Sequence, residues 1–380
     1  MTKIRICIAG LRGIPGIMGG IESHCEQIFP RLREMGAEYD ITIIGRRPYT
    51  TGGQFRGVRV VALPAIKHKY LEAITNTTLA VLYARFALKA HILHIHGIGP
   101  ALLGPLARLL GMKLVVTHHG QDFKRQKWNA LAKAALRLGE SCATAAAHRL
   151  IVVSKSVTEE LRRRHPKLGA RIDYIPNGAT EFAASAAQND ESKVLAQFGL
   201  ESGRYILAVG RLVPEKGFHF LIDAFKDAQP GCKLAIAGAA DHEDDYSRAL
   251  LRHAGEQIRF CGFQPHDVLR VLYRHAALFV LPSTHEGLPI AALEAANLHV
   301  PLLLSDIQPN LDIELPPANY FPTGDVAALS RKLLTDYETL RVDRSAIVRR
   351  FNWRRVSEAT RQVYAALVSA SGFGMSQGEA

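Results

Sequence analysis

Short β-type runs alternate with helical stretches along most of this chain, in two separate series. Lys3–Ala9, Asp40–Gly45, Val58–Leu63, Ile92–His96, Lys113–Thr117 and Arg149–Val153 read as strands, with helical patterns at Ile21–Met35, Leu71–Lys89 and Ala130–Ala147. Tyr205–Val209, Lys233–Ala237, Ile258–Phe260, Leu278–Leu281 and Pro301–Ser305 are the strands of the second series. Strands joined through helices pair in parallel, because each crossover must pass over a face of the sheet. Two such series predict two doubly wound α/β domains, each binding ligands at the carboxyl ends of its strands. At 380 residues the chain also exceeds the usual single-domain size. The expected layout is a first domain over 1–180, a linker over 181–195, a second domain over 196–350, a closing helix over 351–370 and a flexible tail over 371–380. The linker follows from Ile175-Pro176-Asn177-Gly178 and the polar, Ala-rich stretch after it. Pro30 lies inside the first helical pattern and predicts a kink or early break there.

Composition narrows the function. The longest suspicious stretch, Ile92 to Val116, is interrupted by His94, His96, Pro100, Pro105, Arg108 and Lys113, so it does not read as a membrane span. The opening run Ile4 to Ala9 is too brief for a secretory signal and reads as a first strand. Five scattered cysteines without a CxxC pair favour a reducing cytosol and argue against disulfides or structural zinc. A formal net charge of +12 suits nucleic acid, anionic lipid or phosphorylated substrates. No nucleic-acid-reading motif accompanies that charge, so nucleic acid is not an expected partner. The expectation is a cytoplasmic protein, peripheral on an anionic membrane face that carries a phosphorylated lipid acceptor. The sequence carries no signal for oligomeric state.

Chemistry concentrates in the second series. Glu286-Gly287-Leu288-Pro289 follows the apolar run Leu278–Leu281, and Glu294 lies eight residues beyond Glu286. Pro289 suits the first position of a helix, which would put the backbone N–H groups of Gly287 and Leu288 where a diphosphate binds. Glu286 would stand in the loop, and Glu294 inside the helix could reach a hydroxyl-bearing ligand. Upstream, Gly210-Arg211-Leu212-Val213-Pro214-Glu215-Lys216-Gly217 also follows a strand. Arg211 and Lys216 can neutralise a diphosphate there, one as a fork and the other as a point charge. The run Asp241-His242-Glu243-Asp244-Asp245 reads as an acidic helix start rather than a metal site.

In the first series, the glycine-rich turn Gly13 to Gly20, which includes Gly19, joins strand to helix and can bring bare backbone against a ligand. Its spacing is not that of a dinucleotide fingerprint. Thr117-His118-His119-Gly120-Gln121-Asp122 follows another strand, so a histidine there could meet a reacting group or be a plain loop residue. His94 and His96 share one strand face, but no carboxylate or cysteine of suitable spacing joins them, and no metal site is expected. Lys124, Arg125, Lys127 and Trp128 add cations and an aromatic suited to an anionic acceptor or membrane surface, or to a solvated face.

On these residues the chain resembles the retaining glycosyltransferases of family GT4. That resemblance implies the GT-B fold, two Rossmann-like domains facing each other across a cleft. It runs from Gly19-Gly20 to Phe351-Asn352-Trp353 and is most specific at Gly210-Arg211, Lys216-Gly217 and the pair Glu286 and Glu294. The segment His119 to Trp128 further looks like a bacterial rhamnosyltransferase-like subgroup. Carried over residue by residue, the resemblance assigns Arg211 and Lys216 to the donor diphosphate, Glu294 to the nucleotide ribose and Glu286 to the transferred sugar. Gly287 and Leu288 would complete the donor pocket, His119 would contact the donor sugar, and Gly20 would approach the diphosphate. Gly19, Asp122, Lys124 and Arg125 are the acceptor-side candidates. Ser154 and Asn177-Gly178 match positions near the cleft, and the closing helix would return to the first domain. There are departures: His299 stands where the family usually has Gly, Ser305 to Asn310 only loosely matches the usual phosphate-contacting turn, and Asp122 replaces the subgroup's usual Glu.

The implied reaction moves a sugar from a nucleoside diphosphate sugar to a hydroxyl of a glycan or polyprenyl-diphosphate-linked acceptor, with retention. It needs no metal and no other cofactor, and its expected setting is surface-polysaccharide assembly. A nucleotide-sugar epimerase or hydrolase and a non-catalytic nucleotide-sugar-binding protein are the rival readings.

Overall fold

The computed structural model describes residues 3–36, 38–68, 71–125, 128–180, 191–240 and 243–369. The chain divides into two compact units, one of Met1–Lys124, Trp128–Asn177 and Trp353–Ala380, the other of Arg125–Lys127 and Gly178–Asn352. The division falls between Asn177 and Gly178, within the Pro-Asn-Gly turn. Of the expected linker, 181–190 lies outside the described residues, and helix Glu191–Gln197 already occupies its last part. Buried Glu191 secures that helix through Arg270 at 2.9 Å and His275 at 2.8 Å. The expected tail over 371–380 also lies outside the described residues.

In the first unit, strands β1 (Ile4–Ala9), β2 (Tyr39–Arg46), β3 (Gly53–Phe55), β4 (Val58–Leu63), β5 (Ile92–His96), β6 (Lys113–His118), β7 (Arg149–Val152) and β8 (Ile172–Tyr174) form one sheet. Its spatial order is β3-β4-β2-β1-β5-β6-β7-β8, parallel except for the edge pair β3–β4. From β1 the chain fills one side of the sheet, then returns to fill the other from β5, so the sheet's switch point lies between β1 and β5. The helices α1 (Gly20–Met35), α2 (Glu72–Phe86), α3 (Gly104–Leu109), α4 (Ala130–Ala146) and α5 (Lys155–Arg164) lie among these strands in the chain. Every residue of β5 is buried, as a central parallel strand covered on both faces must be.

Helix α1 runs through Pro30 to Met35 without the expected break. Proline there removes one internal hydrogen bond, a cost of about 3 kcal/mol in an exposed helix. Here Cys25, Ile28, Phe29, Pro30 and Leu32 are all buried, and that burial holds the helix together. The closing helix Trp353–Ser369 packs on α1 within the same unit, with Trp353 and Tyr364 fully buried.

In the second unit, β9 (Tyr205–Val209), β10 (Lys233–Ala237), β11 (Ile258–Gly262), β12 (Leu278–Leu281), β13 (Leu302–Ser305) and β14 (Tyr320–Phe321) form an all-parallel sheet of order β11-β10-β9-β12-β13-β14. Its helices include α6 (Glu191–Gln197), α7 (Phe218–Ala228), α8 (Asp245–Leu251), α9 (His266–Arg274) and α10 (Ile290–Asn297). The switch point here lies between β9 and β12. The acidic run before α8 is a helix start: Asp244 and Ser247 make a reciprocal capping box, while Asp241 and His242 lie outside the described residues. His299, where the resemblance implies Gly, takes a left-handed φ of 60°. Among the described residues, no helix is long and apolar enough to cross a membrane.

One glycine locks the second switch point. Gly217 has φ 67°, and a Cβ on it would stand 2.0 Å from the carbonyl oxygen of Pro282, just after β12. Gly231 has nearly the same φ, 70°, with nothing within 4 Å of its Cβ position. Both Gly→Ala changes incur the left-handed penalty of about 1–2 kcal/mol, but only Gly217→Ala adds a backbone clash. Thermal denaturation should therefore show a clearly larger fall in midpoint for Gly217→Ala; equal falls would mean that the contact with Pro282 carries no strain.

Candidate functional site

The loops after β9 and β12 meet at the second sheet's switch point. Thr284 N–H donates to the Glu215 carbonyl at 2.9 Å, joining the two loops through backbone. Lys216 ends the short helical turn Pro214–Lys216, and its Nζ donates to Glu286 Oε1 at 2.6 Å. Ser283 Oγ donates to the same oxygen at 2.6 Å. Burial alone would raise the Glu286 pKa, but Lys216 and Ser283 outweigh it and hold the carboxyl below its ordinary range. Arg211 stands half-buried in the loop after β9, and the Val213 N–H donates to its carbonyl at 2.9 Å.

Helix α10 begins at Ile290, so Pro289 is its N-cap rather than its first helical residue. With ψ at 106° it keeps the extended backbone of the turn before it. Gly287 and Leu288 thus lie one position further outside the helix than expected. Leu288 is buried. Glu294, inside α10, is buried and accepts from Thr180 Oγ1 at 2.7 Å and Tyr273 OH at 3.2 Å. Burial raises its pKa, and these hydrogen bonds offset the rise only partly. The two glutamates therefore differ: Glu286 is held as a carboxylate beside a cation, whereas burial favours the protonated form of Glu294.

The first unit has its own cluster at its switch point. Gly10, after β1, passes so close to β5 that a Cβ on it would stand 2.3 Å from the His96 carbonyl oxygen. His96 ends β5, His119 follows β6, and His24 lies in α1. His96 Nδ1 and His119 Nε2 are 2.9 Å apart, and His24 Nδ1 is 2.8 Å from Asn177 Oδ1. One ligand atom from each of His24, His96 and His119 can be chosen so that all lie within 4.8 Å of one another. His94 is not in this group, because its ring nitrogens meet Tyr364 OH and Thr117 Oγ1, each at 2.6 Å. By sequence, a metal would have to be shared among His94, His96, His118 and His119; the fold instead brings His24 to His96 and His119. His118 is engaged elsewhere, 3.0 Å from the Glu140 carboxylate that Arg164 also contacts.

Burial lowers the pKa of His24 to about 4 and of His94 to about 3, and pushes His96 and His119 well below the ordinary value. The cluster is neutral at pH 7.

Of the remaining candidates, Gly19 is the N-cap of α1. Glu22 and Glu26 pin the preceding turn, accepting from the Arg12 and Gly16 N–H groups at 3.0 Å each. A Cβ on Gly20 would meet nothing within 4 Å. Asp122 and Lys124 form the short helical turn Asp122–Lys124, with Lys124 exposed. Arg125 groups with the second unit, where its Nη1 lies 3.5 Å from Glu215 Oε1. Ser154 caps α5, accepting from the Val157 N–H at 3.3 Å. The sequence reading missed His24 and the partners Thr180, Tyr273 and Ser283. Hydroxyls and a lone helix histidine carry no spacing signal, and only the fold brings them to their partners.

Residues 18–180 match the family model described as Glycosyltransferase Family 4, and residues 191–341 match the one described as Glycosyl transferases group 1. The chain belongs to glycosyltransferase family 4. An uncharacterised glycosyltransferase of Methanocaldococcus jannaschii is 27% identical over 307 residues, covering 77% of this chain and 78% of that one. Glycogen synthase of Mycobacterium tuberculosis is 26% identical over 412 residues, covering 96% and 95%. Among solved structures, sucrose-phosphate synthase of Thermosynechococcus elongatus superposes with a TM-score of 0.80 at 21% identity, covering 97% of this chain and all of that one (100%). The Anabaena protein HepE, solved with UDP-glucose, gives 0.74 at 17% identity, covering 95% and 99%. These neighbours confirm the GT-B fold.

The histidine cluster makes this glycosyltransferase acid-sensitive. A histidine whose folded pKa is depressed stabilises the fold above its unfolded pKa, near 6.5, and that stability is lost as pH falls toward the folded value, about 4 for His24. The melting midpoint should therefore fall between pH 7 and pH 4.5. His24→Asn should show a smaller fall over that window, and an equal fall would exclude His24 as a contributor.

Proposed function

We propose that this glycosyltransferase moves a sugar, with retention of anomeric configuration, from a nucleoside diphosphate sugar to a hydroxyl of a glycan or polyprenyl-diphosphate-linked acceptor. The observation that carries this reading is the Lys216–Glu286 pair, a cation and a carboxylate 2.6 Å apart at the switch point of the second sheet. A donor diphosphate draws Lys216 away from Glu286 and joins it to Arg211, with the Gly287 and Leu288 amides completing the anion site. Charge building on the departing diphosphate is met by these fixed groups without a metal. Glu286, released from its cation, faces the sugar as positive charge develops on the ring. Glu294 takes the ribose hydroxyls through the carboxyl now held by Thr180 and Tyr273. The acceptor hydroxyl enters on the leaving-group face and passes its proton to the departing phosphate.

Relatives support the substrate class. HepE is solved with UDP-glucose, and an Escherichia coli O-antigen chain mannosyltransferase is 27% identical over 199 residues, covering 51% of this chain and 47% of that one. A surface-polysaccharide role at an anionic membrane face accords with the net charge of +12. Binding to anionic vesicles at low salt, lost at high salt, is the expected behaviour.

A thermal-shift panel of UDP-, GDP- and dTDP-sugars should raise the melting temperature with one donor class, since ligands of the native state stabilise it. NMR of the product should show the donor's anomeric configuration; an inverted product, or free sugar formed without acceptor, would overturn the reading. Arg211→Ala and Lys216→Ala should each lose at least about tenfold in donor affinity or rate. Glu286→Gln should depress turnover more than nucleoside diphosphate affinity, and Glu294→Gln the reverse. Calorimetry and initial rates showing the opposite pattern would exchange the two roles.

A further inference from the structure

The pairing of His96 with His119 has a consequence for how His119 meets a ligand. Both rings are neutral at pH 7, so only one proton lies between His96 Nδ1 and His119 Nε2, 2.9 Å apart. Either ring could be the donor, and the other end of His96 decides between them. Among the described residues, His96 Nε2 is buried and has no hydrogen-bond partner. The rings around His96 already have their own engagements: His94 is bonded at both nitrogens, and His24 Nδ1 faces Asn177. If His96 carried its proton on Nε2, a buried N–H would be orphaned, the rarer of the two defects in folded proteins. With the proton on Nδ1, only a lone pair goes unmet.

We propose that His96 is a positioning residue that sets the tautomer of His119. His96 Nδ1–H donates to His119 Nε2, so His119 carries its own proton on Nδ1. The ring then offers a neutral N–H donor to the ligand it meets, not a lone pair, and keeps that character across the neutral pH range because burial holds both pKa values down. Neutral N–H suits a hydroxyl or ring oxygen of an uncharged sugar. A lone pair at the same place would instead demand a donor from the ligand. Gly10 supports the arrangement, because its bare Cα lets β1 close against the His96 carbonyl and fixes the end of β5. The sugar as ligand rests on the function proposed above together with the role that the family resemblance gives His119; the tautomer does not.

The test is 15N NMR of the full-length protein labelled at histidine, where protonated and unprotonated ring nitrogens resonate far apart. The His119 signals are assigned by their loss in His119→Gln. Wild type should show His119 protonated at Nδ1 and bare at Nε2; the opposite pattern overturns the proposal whatever the activity. Two variants separate positioning from packing. His96→Asn keeps an N–H donor near the Nδ1 position and should hold the His119 tautomer and kcat/KM within about threefold of wild type, whereas His96→Phe fills the space without a donor and should lose about tenfold, the worth of one hydrogen bond. Equal losses in two variants that melt like wild type, or an unchanged His119 spectrum in His96→Phe, would also overturn it. If no donor sugar is ever turned over but the spectrum shows Nδ1–H on His119, the proposed function fails and the tautomer assignment stands.

Discussion

The candidate site of the second unit depends on a steric constraint between two loops of one sheet. Strands β9 and β12 are neighbours, but the chain leaves β9 toward one edge and comes back at β12 toward the other. Their loops would diverge unless something drew them together. Gly217 does so, because only a residue without Cβ lets its Cα rest against the Pro282 carbonyl. The Thr284 N–H to Glu215 carbonyl bond adds a polar tie beside it. With the loops in register, Lys216 and Glu286, 70 residues apart in sequence, reach contact. The first sheet repeats the device at β1 and β5, where Gly10 passes the His96 carbonyl.

Electrostatics then divides the ionisable groups of the two units by the surroundings that each fold supplies. Glu286 and Glu294 are eight residues apart, on one loop and the helix that follows. One has a lysine against it and stays charged, and the other is enclosed by α10, Tyr273 and Thr180, where burial outweighs two hydrogen bonds. A hydrolase pair would need both carboxyls poised around one bond. These two face different partners, which suits two different parts of one ligand. The histidines show the complementary case, four imidazoles so enclosed that none is charged at pH 7. Neutral rings can pack edge to face, as His24 does with His119 at a centroid separation of 4.7 Å, where charged ones would repel.

Much of the fold was legible because parallel strands buried on both faces must be apolar runs, and such runs stand out between polar turns. Val58–Leu63, Tyr205–Val209, Lys233–Ala237 and Leu278–Leu281 have the boundaries that the pattern implies. Local rules failed where tertiary burial opposed them. Pro30 lacks an N–H and still sits within an unbroken helix, because its neighbours are in the core. His299, exposed in the turn between α10 and β13, also takes a left-handed φ that favours Gly, and burial does not account for it.

The sequence by itself determined the two parallel-sheet units and the loops after β9 and β12 as the carriers of the charged groups. Those follow from short-range pattern: runs of apolar residues, glycines in turns, and acids and bases placed just after strands. Tertiary structure alone decided which groups meet. It placed Lys216 on Glu286, gave Thr180 and Tyr273 to Glu294, drew His24 rather than His94 into the cluster with His96 and His119, and turned His118 away to Glu140. Such contacts join residues that are tens to hundreds of positions apart. Their protonation states depend on burial, which no local stretch of sequence contains.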